Sequence, residues 1–231
     1  EFYISVPMST NVNEVKIKID FSYFATDIRY WVVTNAIASN QPIAIIDRKK
    51  VEASDELAIN YTKPQFDLAL RKFITKINGV ELTGKDSRIP QVDLTPLISG
   101  TGTTAIYEHN PIIVNTGDKV TYIIRIYNEG KTDGFATMVE DVLPEGLILA
   151  TNSDINTNNG WEVLKTGDGK TYVGTNKLAD QVIRAFDDEN LDYKDLEIEC
   201  EVTMNAGNEK ILLKNIAEIT DDSNIYQEAD R

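Results

Sequence analysis

Val120-Thr121-Tyr122-Ile123-Ile124-Arg125-Ile126-Tyr127 alternates between two sets of residues. Successive side chains of an extended chain point to opposite faces. Val120, Tyr122, Ile124 and Ile126 therefore share one face, and Thr121, Ile123, Arg125 and Tyr127 the other. The same period recurs on either side of this stretch. Val15, Ile17, Ile19, Phe21 and Tyr23 alternate with Lys16, Lys18, Asp20 and Ser22, and Ile211, Leu213, Ala217 and Ile219 alternate with mostly polar neighbours. Short runs of this kind, divided by turn residues, predict an antiparallel all-β protein whose sheets each keep one face on a core. The expected turns are Asn78-Gly79, Thr116-Gly117-Asp118, Asn128-Glu129-Gly130, Asn159-Gly160 and Gly167-Asp168-Gly169. One segment departs from the period. Leu178, Val182 and Phe186 fall at roughly helical spacing, which predicts a short helix or helical turn within 176–187.

A chain of 231 residues has room for one or two domains. Pro64 drives the residue before it into an extended shape, and a new strand pattern begins just beyond it. The boundary is therefore expected there. Residues 64–231 read as an immunoglobulin-like β-sandwich of about seven to ten strands. Residues 1–63 read as a smaller or partial β-module. A start at Glu1 suggests a piece taken from a longer protein. A net charge of −14 speaks against nucleic acid and against direct contact with an anionic membrane, both of which attract clustered Lys and Arg. The single cysteine, Cys200, rules out an intrachain disulfide. It alternates with Leu196, Ile198, Val202 and Met204, so it is expected in the core.

Few residues suggest enzyme chemistry. The one histidine, His109, lies in a loop-like Tyr107-Glu108-His109-Asn110-Pro111. There is no CxxC, no His/Cys cluster and no phosphate-cradling loop, so neither a cofactor nor a metal is expected. The acidic runs Asp187, Asp188, Glu189, Asn190, Asp192 and Asp221, Asp222, Asn224 lack the spacing of a calcium loop and read as solvated. Asn60-Tyr61-Thr62 matches a glycosylation acceptor, a pattern common by chance.

The informative residues are polar groups on apolar faces. Phe66, Leu68, Leu70, Lys72 and Ile74 share one face of a predicted strand. Asn215 joins Ile211, Leu213, Ala217 and Ile219, and Asp141 joins Phe135 and Val139. Three strands thus each turn one polar group inward: an amine, a carboxamide and a carboxyl. Each is costly to bury alone. Together they suggest a reaction. A desolvated lysine sheds its proton and becomes a nucleophile. A desolvated carboxyl keeps its proton and can hydrogen-bond the Asn carbonyl. Attack on the Asn side-chain carbon, with loss of ammonia, would join two strands by an isopeptide bond. Lys76 is the reserve donor on the face pattern. Glu140 and Glu218 are reserve acids that parity turns outward. A snorkelling lysine, a backbone-bonded amide and a turn-capping aspartate are the plain alternatives.

Four stretches carry a resemblance. Phe66-Asp67-Leu68-Ala69-Leu70-Arg71-Lys72-Phe73-Ile74-Thr75 resembles the opening strand of isopeptide-forming domains in Gram-positive pilins and surface adhesins. The stretch from Gly117 to Gly130 is similar to their central strand pair, Val139-Glu140-Asp141-Val142-Leu143-Pro144-Glu145-Gly146-Leu147 to their Asp-x-Leu-Pro-x-Gly-Leu turn, and Asn215-Ile216-Ala217-Glu218-Ile219 to their closing strand. The resemblance implies Lys72 as amine donor, Asn215 as acceptor and Asp141 as catalytic acid. It also implies a non-enzymatic structural module of a cell-wall-attached, extracellular surface or fimbrial protein. Its partners would be neighbouring modules and, as a further candidate, a host or matrix ligand. Two other readings remain open at this level. One is an adhesin head using Tyr107, Trp161 and Tyr172; the other is an accessory module of a large secreted enzyme.

Overall fold

The computed structural model describes residues 14–24, 50–60, 65–99, 102–108, 110–204 and 211–225. The chain divides into two compact units, Glu1–Lys63 and Pro64–Arg231. The first contains β1 (Glu14–Phe24) and β2 (Lys50–Asn60), paired antiparallel from Glu14 opposite Asn60 to Phe24 opposite Lys50. His109 and Tyr61-Thr62 lie outside the described residues.

The second unit opens with β3 (Leu68–Ile77), β4 (Val80–Glu81), β5 (Gln91–Asp93), a single helical turn α1 (Thr95–Ile98) and β6 (Thr104–Ile106). It continues through β7 (Lys119–Asn128), β8 (Gly134–Leu143), β9 (Leu147–Leu149), a short α2 (Asp154–Asn158), β10 (Glu162–Gly167), β11 (Lys170–Thr175), β12 (Tyr193–Val202) and β13 (Ile216–Asn224). Two antiparallel sheets result. One has the order β4-β3-β7-β12-β9, the other β10-β11-β8-β13, and β5 and β6 form a separate ribbon. The second unit is an all-β antiparallel sandwich.

The core lies between the two sheets. Val120, Ile124 and Ile126 on β7, Leu196, Ile198 and Cys200 on β12, and Val139 and Leu143 on β8 are all buried there, with Tyr122 packed against them as part of the same inward row. The alternation of β7 therefore sets the inner face as read from the sequence. Asn78-Gly79 and Asp168-Gly169 close hairpins with positive φ at both central residues, the turn whose twist matches that of the strands. At the β7–β8 corner the buried Asn128 holds the bend. Its Nδ2 donates to Thr132 O at 2.8 Å and to Ile183 O at 2.9 Å, and its Oδ1 accepts from Gly130 N. Gly130 must be glycine here, because a Cβ would meet Gln65 O at 2.5 Å.

Three details differ from the sequence reading. Residues 176–181 form tight turns through Ala179 N to Asn176 O and Gln181 N to Leu178 O, not a helix. The chain beyond is drawn straight because Ile183 pairs with Gly134 and Phe186 N donates to Gly130 O. Leu178, Ile183 and Phe186 are buried as a result, and Val182 is exposed. On β8 the register against β13 shifts opposite Met138. Parity slips there, so Ala136 rather than Phe135 joins Val139 and Asp141 on the inner face. Finally, β13 begins only at Ile216, and Ile211 is exposed, while Leu213, Ala217 and Ile219 pack on the core.

Candidate functional site: an amine, a carboxyl and a carboxamide between the sheets

Lys72 stands in the middle of β3, opposite Ile124 of β7. Even parity puts it beside Leu70 and Ile74, which pack against the core. Asp141 stands on β8 between Val139 and Leu143, opposite Val173 of β11 and Ala217 of β13. Asn215 immediately precedes β13. Lys72 and Asp141 come from the two facing sheets and Asn215 from the segment entering β13, and the three side chains meet in the space between the sheets.

Lys72 Nζ donates to Asp141 Oδ2 at 2.5 Å, and the side chains are 9% and 0% exposed. Asn215 Nδ2 donates to the same oxygen at 3.4 Å. The second carboxyl oxygen, Asp141 Oδ1, and the carbonyl oxygen of Asn215 are both buried without a partner. The Tyr122 ring lies 4.7 Å from Nζ, measured to its centroid. Cys200 is fully buried nearby, and burial pushes its thiol well above the ordinary range.

Burial dominates the electrostatics. Desolvation lowers the pKa of the Lys72 amine, and the Asp141 carboxylate opposes this only in part. Desolvation raises the pKa of Asp141, again with Lys72 in opposition. Both shifts favour the uncharged partners, an amine with a free lone pair and a carboxyl with a proton. One carboxyl oxygen touches both the amine nitrogen and the amide nitrogen. It is therefore placed to take a proton from the first and return it to the second. The side chain of Asn215 is held at that oxygen, so the amine and the amide share one neighbour.

No family model, curated protein or solved structure matches this chain. The three residues singled out on the face pattern are in one cluster. The carboxyl, however, faces the amide nitrogen of Asn215 and not the carbonyl that was expected.

The reserve groups lie elsewhere. A register shift between Ile74 and Lys76 reverses parity along β3. Lys76 accordingly reaches Glu197 at 3.4 Å, a residue that alternates with the inward Leu196 and Ile198. It does not share the face of Lys72, because the bulge adds a residue to one strand only. Glu140 and Glu218 sit opposite each other, at positions that alternate with the inward Asp141 and Ala217. In the acidic run, Asp187 accepts from the backbone of Glu189 and Asn190, Asp188 pairs with Lys131, and Asp192 accepts from Arg184 N. Thr137 donates to Asp221. Of the aromatics considered for an adhesin surface, Trp161 is buried, its Nε1 donating to Glu197 O at 2.7 Å. Tyr122 was not singled out from sequence. The available signal was a phenol on the same inward row as Val120, Ile124 and Ile126.

Proposed function

We propose that the second unit is a self-crosslinking structural module, in which Lys72 and Asn215 become joined by an isopeptide bond with Asp141 as the acid. The single observation that carries this reading is the 2.5 Å approach of a buried amine to a buried carboxyl that also contacts a carboxamide. Neutral Nζ attacks Cγ of Asn215. The new Nζ–Cγ bond forms, the Cγ–Nδ2 bond breaks, and the proton leaving Nζ passes through Asp141 to Nδ2, which departs as ammonia. Proximity in a dry interior supplies a large part of the barrier lowering, on the order of 7–11 kcal/mol in well-oriented intramolecular cases. The reaction occurs once per chain and gives no turnover.

A covalent tie between β3 and the segment entering β13 suits a load-bearing part. Positions 72 and 215 are 143 residues apart, so most of the unit lies inside the closed loop. A pull on the two ends would pass through the bond and not through the strands between. The bond also survives reducing conditions, unlike a disulfide. Together with the acidic surface and the resemblance of four stretches to pilin and adhesin domains, this supports a stalk or backbone module of an extracellular, cell-wall-attached bacterial protein, working beside neighbouring modules. Intact mass spectrometry tests the crosslink. The expected mass is one ammonia below that of the sequence, with the tryptic peptides of Lys72 and Asn215 found joined. A full sequence mass would refute the reading.

A further inference from the structure

The two ends of the second unit leave it at the same corner. β3 begins at Leu68, opposite Asn128 at the end of β7, and β13 finishes at Asn224, opposite Gly134 at the start of β8. The turn between β7 and β8 joins those two positions. A Cβ on Gly134 would collide with both the Phe66 ring and Ser223 O, so the two ends meet over one glycine. Tension between them does not slide β3 and β13 along their length. It lifts each strand off its neighbour from the corner inward. Antiparallel ladder bonds lie across the strands, so they are then loaded one after another.

The two strands are not held alike. Just before β3, Gln65 O accepts from Lys131 N at 2.6 Å and Asp67 O from Glu129 N at 2.8 Å, and Phe66 and Leu68 are buried. β13 is the edge of its sheet, with β8 its one strand partner among the described residues. Its ladder slips on both sides of Asp221, Ile216 is exposed, and Ala217 and Ile219 are only partly buried against the core. An edge strand with little buried apolar surface opens at low cost, so β13 yields first. Asn215 immediately precedes it. The whole of β13 therefore lies on the loaded side of a Lys72–Asn215 bond, together with only the first four residues of β3.

We propose that β13 is a strap released by tension: a pull between the two ends of the unit peels it from β8, and the Lys72–Asn215 bond halts the peeling at Asn215. The inference rests on the crosslink reading above. By way of the bond, the path from 65 to 225 has seven chain spacings before Lys72 and ten after Asn215. At about 3.5 Å for each spacing, ends that start as neighbours can move about 60 Å apart and no further. The chain enclosed by the bond carries no load. The module therefore lengthens by one short step and recloses when the tension falls. Without the bond the peeling has no stop, and the 160 spacings from 65 to 225 can be drawn out to about 550 Å.

The test pulls single full-length molecules in an optical trap, through thiol-coupled DNA handles at Gln65→Cys and Ile225→Cys. Both positions are exposed, whereas Cys200 is buried and does not couple. Intact mass before coupling reads the crosslink. The expected record is one reversible step that ends near about 60 Å, with no second step. Moving the second handle to Ile216→Cys, also an exposed position, takes β13 out of the load path and is expected to abolish the step. Asn215→Ala with handles at 65 and 225 is expected to extend to about 550 Å. A molecule that has lost ammonia yet shows no step overturns the strap, while the crosslink reading stands. A step that persists with the handle at 216 overturns β13 as the moving strand. A chain of full sequence mass that draws out to about 550 Å overturns the crosslink and, with it, the stop at Asn215.

Discussion

Ala217 stands directly opposite Asp141 in the ladder between β8 and β13. That pairing fixes the phase of β13, so that Asn215, two residues earlier, faces inward on the same side as the carboxyl. Lys72 enters from the other sheet, in line with Ile124. The site is thus set by the register of two ladders together with the packing of one sheet on the other. Every prediction below depends on that phase.

Closing the loop should stabilise the unit. Asn215→Ala leaves the fold with no acceptor and therefore with an open chain. By loop-closure arithmetic for a separation of 143 residues, it is expected to lose about 5 kcal/mol. Urea unfolding of the two proteins measures the difference. A gap under about 1 kcal/mol would contradict covalent closure.

Removing the acid should do two separable things. Asp141→Ala is expected to keep the full sequence mass, because the proton path between the nitrogens is gone. It also strands the Lys72 amine in the interior with its partner removed. Compared with Asn215→Ala, also uncrosslinked, it should be less stable by about 1–3 kcal/mol, the cost of leaving a buried polar group without its hydrogen-bond partner. Equal stability of the two variants would mean that the amine escapes to water.

The rate of bond formation should be bell-shaped in pH with a broad plateau. The reactive form holds one proton between the two groups, on Asp141, with Lys72 neutral. That form and the ion pair carry the same number of protons, so their ratio is independent of pH between the two titrations of the pair. Burial lowers the pKa of the amine and raises that of the carboxyl. In acid the pair gains a second proton and the amine is blocked. In base it loses its last proton and the acid is gone. Quenched mass spectrometry across pH reads the profile, and a rate rising steadily with pH would exclude a protonated Asp141.

Lys76 should not substitute for Lys72. The bulge after Ile74 sends it to Glu197. Lys72→Ala is expected to retain the full sequence mass, while Lys76→Ala should crosslink completely and change stability by less than about 1 kcal/mol, since it removes only a part-exposed ion pair. A crosslinked peptide containing Lys76 in Lys72→Ala would contradict the parity reversal.

How much of this was legible varies residue by residue. Lys72 could be found because its neighbours at two-residue intervals are Leu70 and Ile74, and the bulge comes only afterwards. Asp141 could be found from Val139 alone; Phe135 pointed to the right face by accident, across a slip opposite Met138 that nothing local in β8 announces. Val182 looked inward because helical spacing fits three apolar residues, yet the segment is held straight by Gly134 and Gly130, which lie about fifty residues earlier in the chain.

The sequence by itself determined the strand period, the turns at Asn78-Gly79 and Asp168-Gly169, and which side of each strand seeks the interior. These are local properties, set by side-chain polarity and by backbone torsions within a few residues. Only the tertiary structure decided that the amine of β3, the carboxyl of β8 and the carboxamide before β13 share one dry space, that Lys76 leaves that space, and that Tyr122 lines it. Those outcomes depend on bulges and on the phase of one sheet over the other. Such long-range balances belong to the whole fold, because a slip of one residue in any ladder turns every side chain beyond it to the opposite face.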